Sequence, residues 1–312
     1  MKELVVVSGK GGTGKTSIAA SMAALAAPLV IVDCDVDAAD LHLIVEPRIR
    51  TREDFVGGNK ARIDATRCTA CGRCRSLCRF DAIQCEGPGN ASAEWTCSVD
   101  RLACEGCGVC ADHCAQGAID FAPAVAGEWY LSATRLGPML HARLLVGAEN
   151  SGKLVTHLRQ AAHTLAHEQG LQLIVSDGSP GIGCPVIASL TAASLALVVV
   201  EPTLSGLHDF NRIARLVRQL RVPAVVLVNK FDLNPQIANE LESTGRTHCI
   251  DSVGLVPYDP TVTAAQLAGR STVEYCQSPA AEAIRAAWTK VQDRLQDCAS
   301  LSPPGLVSLD TH

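Results

Sequence analysis

Aromatic residues are scarce in this 312-residue chain: Phe, Trp and Tyr make up 4% of it. Proteins that bind single-stranded nucleic acid commonly stack bases on aromatic rings, and that mode has little to work with here. A basic surplus is missing as well. The formal net charge is −5 and the pI is about 6.0, without the positive footprint of a nucleic-acid binder. No apolar run approaches the roughly 18 residues that cross a bilayer. A secretory leader is also not evident, because Met1-Lys2-Glu3 passes at once into the apolar residues 4–7. These absences predict a cytoplasmic chain with neither a membrane nor a nucleic-acid partner. Cysteine is the opposite case, with 15 residues. In a reducing cytosol such thiols read as metal ligands and not as disulfides. The length, with 47% hydrophobic residues, allows a sizeable core and about two domains.

Residues 4–7 are followed by Ser8-Gly9-Lys10-Gly11-Gly12-Thr13-Gly14-Lys15-Thr16 and an alanine-rich stretch over 17–27, which predicts strand, loop and helix. Pro28 ends that helix. Residues 29–32 predict a second strand, closing in Asp33-Cys34-Asp35-Val36-Asp37. Residues 171–176, 195–200 and 224–228 are near-continuous apolar runs, as in parallel strands covered on both faces. Helices are predicted at 153–168 and 207–220. Gly9 to Thr16 fits G-x4-G-K-[ST] in the strand-to-helix setting that this phosphate-binding motif requires. Its glycines let backbone N–H groups close on phosphate oxygens at a helix N-terminus. The nucleotide-binding candidates are therefore Gly9, Lys10, Gly11, Gly12, Thr13, Gly14, Lys15, Thr16 and Ser17. Lys15 is expected on the β- and γ-phosphates and the Thr16 hydroxyl on Mg²⁺.

Near Gly57-Gly58 the rhythm stops, and it resumes after about Phe121-Ala122-Pro123. Between lie two copies of C-x2-C-x2-C-x3-C: Cys68, Cys71, Cys74, Cys78, then Cys104, Cys107, Cys110, Cys114. Each is followed by an echo, Asp81-Ala82-Ile83 and Gly117-Ala118-Ile119, so the unit is an internal repeat. The spacing is that of two-cluster bacterial ferredoxins, where the fourth cysteine of each run ligates the other cluster. That pattern assigns Cys68, Cys71, Cys74 and Cys114 to one [4Fe–4S] cluster, and Cys104, Cys107, Cys110 and Cys78 to the second. Structural zinc sites typically pair two separated C-x2-C halves, so two unbroken runs favour iron–sulfur. Arg79 and Ala115 stand where a proline normally follows the fourth cysteine. Cys85 and Cys97 lie in the joining segment 84–101; the alternatives are a further metal or nothing, and without a second ligand pair at suitable spacing they are expected to form nothing. The predicted fold class is a doubly wound, mostly parallel α/β P-loop NTPase over 1–57 and 123–298. A small α+β 2[4Fe–4S] module interrupts it at 58–122, and 299–312 form an irregular tail.

The string from Lys10 to Thr16 resembles the deviant Walker A loop of the MinD/ParA/nitrogenase-iron-protein group. Asp33-Cys34-Asp35-Val36-Asp37 is similar to that group's switch I, and Asp177-Gly178-Ser179-Pro180-Gly181 to its switch II. Val228-Asn229-Lys230 resembles the adenine-contacting strand end, and Pro257-Tyr258-Asp259 the later loop near the base. With the cysteine insert, the chain looks like the MinD-superfamily ATPases that contain an inserted ferredoxin domain. The resemblance implies that Lys10 reaches the partner's nucleotide in a homodimer formed on ATP binding. It also implies that Asp35 orients the attacking water, that Asp177 holds Mg²⁺ through water, and that Asn229, Lys230 and Pro257 lie at the base. Gly181 and Gly183 suggest a γ-phosphate sensor whose backbone can rearrange. Cys184 stands at the offset from Asp177 of the nitrogenase iron protein's bridging cysteine. That protein needs a second, upstream cysteine, and 115–183 contain none, so a small buried thiol is the default reading.

The implied cofactors are ATP, Mg²⁺ and two [4Fe–4S] clusters. The implied function is an ATPase, slow or partner-stimulated, that couples nucleotide state to electron transfer with a redox or cofactor-maturation partner. The alternative is an ATP-dependent scaffold or carrier in metal-cofactor assembly. Carriers of that kind have a C-terminal C-x-x-C, whereas Cys249, Cys276 and Cys298 here stand far apart.

Overall fold

A computed structural model describes residues 1–86, 96–145, 147 and 150–297. The expected tail at 299–312 and Cys298 lie outside the described residues. The strands are β1 (Lys2–Ser8), β2 (Val30–Asp33), β3 (Arg48–Ile63), β4 (Ile83–Glu86), β5 (Thr96–Val99), β6 (Ile119–Ala133), β7 (Pro138–Leu144), β8 (Leu173–Pro180), β9 (Leu195–Val200), β10 (Ala224–Asn229) and β11 (Asp251–Val256). The helices are α1 (Lys15–Ala26), α2 (Leu41–Val45), α3 (Arg73–Leu77), α4 (Val109–Asp112), α5 (Ser151–Glu168), α6 (Cys184–Leu190), α7 (Leu204–Gln219), α8 (Pro235–Thr247), α9 (Pro260–Leu267), α10 (Thr272–Tyr275) and α11 (Pro279–Asp297).

Nine strands form one sheet in the order β11-β10-β9-β1-β8-β2-β7-β6-β3. Pairing is parallel from β11 through β7 and antiparallel for β7–β6 and β6–β3. The period of two along a strand sorts the core. In β1, Leu4 and Val6 face the layer that contains α1 and α11, while Val5 and Val7 face α6, α7 and α8. All four are fully buried, and each such side chain contributes about 1.5–3 kcal/mol by leaving water. The sheet is thus mostly parallel, and its parallel part is covered on both faces, as its apolar runs predict. Glu3 is a charge within that run. Arg159 of α5 donates two hydrogen bonds to it, at 2.8 and 2.6 Å, and Ser176 and His163 complete its shell. Burial pushes the Glu3 pKa up, but His163, Arg159 and Ser176 outweigh it and bring it down to about 2. The carboxylate therefore ties the start of β1 to α5 as a satisfied buried ion pair.

β3 and β6 form a long ribbon, paired from Arg48 and Ala133 out to Ile63 and Ile119. Both expected module boundaries, 57/58 and 122/123, fall inside these strands. Beyond the ribbon the repeat folds as two matching halves. The Asp64 amide donates to the Ala118 carbonyl at 2.8 Å, and Asp100 to Ala82 at 2.7 Å, so each half begins on the echo of the other. Gly72 and Gly108, both left-handed, precede α3 and α4. Gly106 has φ +65°, and a Cβ there would stand 2.2 Å from the Asn59 carbonyl oxygen, so this close approach of backbone to the ribbon requires glycine. The expectation that Cys85 and Cys97 form nothing is corrected. They are directly opposed in the antiparallel β4–β5 hairpin and are joined by a disulfide. Opposed residues share a face with adjacent Cβ atoms, a proximity that their sequence separation of 12 conceals.

Candidate functional site

β1 is central in the sheet, and its C-terminal end delivers the Gly9–Gly14 turn to the N-terminus of α1. Ligands bind at this edge of parallel α/β sheets. Gly14 has φ +86°, and a Cβ would meet the Asn229 side-chain nitrogen at 2.4 Å. Glycine therefore lets the loop pass under Asn229, whose Nδ2 donates to the Thr13 carbonyl at 2.7 Å. Lys230 donates to the Gly12 carbonyl at 3.1 Å. The two residues expected at the base thus brace the phosphate loop directly, and both also border a cavity of 690 Å³. Its walls include Gly11, Gly12, Thr13, Lys15, Thr16, Asp35 and Pro257. Ser17 is buried and accepts from Gln266 of α9 at 2.7 Å. Gly9 and Asp177 are not on that wall as described.

Asp33, the last residue of β2, is opposite Asp177 of β8, and the Lys15 ammonium donates to Asp177 Oδ1 at 2.6 Å. Asp35 Oδ2 is 4.0 Å from the same nitrogen. Burial draws the Lys15 pKa down, but Asp177, Asp33 and Asp35 outweigh it and hold the ammonium above its ordinary value. Burial, with Asp177 and Asp37 and against Lys15, pushes Asp35 up to about 6. Burial and Asp177 also drive Asp33 well upward. Three carboxylates around one ammonium make a site short of positive charge. Asp33 has no assigned part in the sequence reading. Its carboxylate accepts from the Asp35 amide at 3.1 Å and the Leu41 amide at 3.3 Å, fixing the loop that carries Asp35. A buried acid ending a strand two residues before Asp35 was the available signal.

Lys10 turns away from this cluster. Its ammonium is 3.3 Å from Glu201 and within 3.2 Å of the Thr203 and Ser205 hydroxyls, and Glu201 also pairs with Lys230 at 2.8 Å. The Gly181 amide, in a left-handed turn, donates to the Ser8 carbonyl at 2.8 Å. Cys184 is exposed, against the buried thiol expected, because it opens α6 beside Gly152.

The eight repeat cysteines divide between two cavities. Cys68, Cys71, Cys74 and Cys114 border one of 300 Å³. Cys78, Cys104, Cys107 and Cys110 border a much tighter one. The Ala70 and Ala118 amides donate to the Cys68 and Cys114 sulfurs at 3.4 Å. Among the described residues, no three His, Cys, Asp or Glu side chains converge closely enough to hold a single metal ion. No described helix is long and apolar enough to cross a membrane.

A complete G-x4-G-K-T loop between the central parallel strand and the first helix defines a P-loop nucleotide-binding protein. Residues 4–273 match the CobQ/CobB/MinD/ParA nucleotide binding domain, and the chain belongs to that family as a MinD/ParA-type ATPase. An uncharacterized protein of Methanocaldococcus jannaschii, MJ0578, is 32% identical over 236 residues, covering 74% of this chain and 79% of the relative. An uncharacterized ATP-binding protein of the same organism, MJ0547, is 25% identical, with 90% and 84% covered. Among solved structures, the septum site-determining protein MinD of Pyrococcus horikoshii, complexed with Mg-ADP, superposes with a TM-score of 0.55. It is 15% identical, with 95% of this chain and 98% of that one covered, a likeness of fold.

Proposed function

We propose that this ATPase couples its nucleotide state to electron transfer through two [4Fe–4S] clusters, working as a homodimer that closes on ATP. One observation carries the reading: the cysteines sort over two cavities as Cys68, Cys71, Cys74, Cys114 and Cys78, Cys104, Cys107, Cys110. The last thiol of each run has crossed to the other set, which is the division that two-cluster ligation needs. Each set is all thiol, which suits iron–sulfur ligation. Bound clusters supply one-electron redox couples. The Ala70 and Ala118 amides donate to ligand sulfurs and would offset their negative charge.

At the nucleotide face, Lys15 exchanges Asp177 for the β- and γ-phosphates, and Thr16 with the released Asp177 serves Mg²⁺. Asp35 orients the attacking water. Lys10 leaves Glu201, Thr203 and Ser205 for the partner's nucleotide. Asn229, Lys230 and Pro257 border the base. Coupling to the cysteine unit is supported by backbone bonds. The Leu144 amide donates to the Val36 carbonyl at 3.4 Å, and Leu145 to Ala126 at 2.9 Å. The loop following Asp35 is thereby joined to the base of the β3–β6 ribbon that carries the unit. A rearrangement of that loop on sensing phosphate would bias the ribbon.

The test is anaerobic purification with iron, acid-labile sulfide and ATP hydrolysis measured together. About eight iron atoms per chain, stable through repeated reduction and oxidation, are expected. An iron-free protein that folds normally would overturn the redox reading. Clusters handed intact to an apo-acceptor would turn it toward cofactor assembly.

A further inference from the structure

We infer that Cys85 and Cys97 are a second redox centre, a thiol–disulfide couple that exchanges electrons with the group held by Cys68, Cys71, Cys74 and Cys114. This rests on the iron–sulfur reading of that cysteine set. Cys97 is 6% exposed and borders the same cavity as those four thiols, so the disulfide forms part of its wall.

The internal repeat supplies a comparison at the matching place. Ile83 opposes Val99 in the β4–β5 hairpin, and Ile63 opposes Ile119 in the ribbon. Two residues outward, on the same face, Cys85 opposes Cys97 in the hairpin, whereas Ala61 opposes Phe121 in the ribbon. Ala61 and Phe121 both border the second cavity. An apolar pair therefore suffices to wall one cavity, while the equivalent pair at the other is a disulfide. The hairpin ladder pairs Ile83 with Val99 and Glu86 with Thr96 on either side of the two cysteines, so their opposition is set by strand register as well as by the bond. Opening the bond leaves two adjacent thiols ready to close again, which is what a reversible couple requires.

The S–S bond of Cys85–Cys97 breaks, two electrons and two protons enter, and two thiols form. The two electrons would come from two equivalents of a low-potential one-electron reductant such as dithionite, through the one-electron couple of the cluster that Cys68, Cys71, Cys74 and Cys114 would hold, and the protons come from solvent.

The experiment uses the anaerobic full-length protein, its iron and sulfide assayed first. Dithionite is the probe, with acid quenching, alkylation and mass spectrometry of Cys85 and Cys97. The disulfide is expected to open in the wild-type protein and to open at least ~10-fold more slowly in Cys71→Ser. Because Cys71→Ser could disturb folding of the unit, reductive titration supplies a second readout: the wild type should take up two more electrons than Cys85→Ser at equal iron content. A disulfide that stays closed while the iron is reduced would overturn the inference and leave the proposed function standing. So would equal opening in both proteins, equal electron uptake, or permanently free thiols. Absence of iron from the wild-type protein would instead sink the proposed function and the inference together.

Discussion

The nucleotide face and the cysteine unit prepare for a charged ligand in opposite ways. At the nucleotide face the frame is complete beforehand. β2 and the buried middle of β8 bring Asp33 and Asp177 to one edge, where the start of α1 places Lys15, and only the charge is out of balance. In the cysteine unit, Ala61, Ala82 and Cys104 form one small buried cluster beside Cys78 and Cys110, with Ile83, Cys97 and Ala118 also buried, and Cys71 and Cys107 are exposed. A core this small stabilises little, and clusters held there, as proposed, would add folding free energy. The nucleotide face is a finished fold that awaits a ligand; the cysteine unit would rely on its clusters to complete the fold.

The largest effects are expected from replacing one side chain in each region. Cys107→Ser should lose about half of the iron and open 58–122 to limited proteolysis, while nucleotide binding by the rest of the chain persists. Lys15→Ala should instead keep the iron and lose nucleotide affinity on the order of 100-fold, measured by calorimetry. It also leaves three carboxylates without their ammonium, at a cost of about 3–5 kcal/mol in the nucleotide-free protein.

A smaller effect follows from Asp35. Its pKa is raised to about 6, so the unfolded chain releases this proton first. Its contribution to stability is present at low pH and is lost as pH rises through about 6. Asp35→Asn should flatten that slope in nucleotide-free denaturation curves while slowing ATP hydrolysis. The smallest effect expected is Leu102→Ala. Leu102 is 65% exposed and meets Gly147, where the cysteine unit touches the loop after β7. Thermal unfolding should change by less than ~0.5 kcal/mol.

The two regions were also unequally legible in sequence. The phosphate loop could be read whole, because glycine, lysine and threonine act locally and their order is the geometry. The parallel strands could be read because burial on both faces leaves unbroken apolar runs. The ribbon could not. β3 is mostly exposed from Arg48 to Asp54 and shows no apolar alternation, so its pairing with β6 depends on a partner more than fifty residues away. Asp33 looked like one acid among several until Asp35 and Leu41 were seen to donate to it. Asn229 and Lys230 brace the loop through backbone carbonyls, contacts that no motif encodes. Cys85 and Cys97 meet through strand register, which spacing alone does not give.

Redox titration of the iron–sulfur EPR signals decides whether nucleotide state reaches the cysteine unit. The protein is compared without nucleotide, with Mg–ADP and with a non-hydrolysable Mg–ATP analogue. Coupling through the Val36–Leu144 connection predicts a midpoint shift of about 60 mV or more between states, a tenfold change in the one-electron equilibrium. Identical potentials and spectra in all three, with nucleotide bound and iron complete, would contradict it.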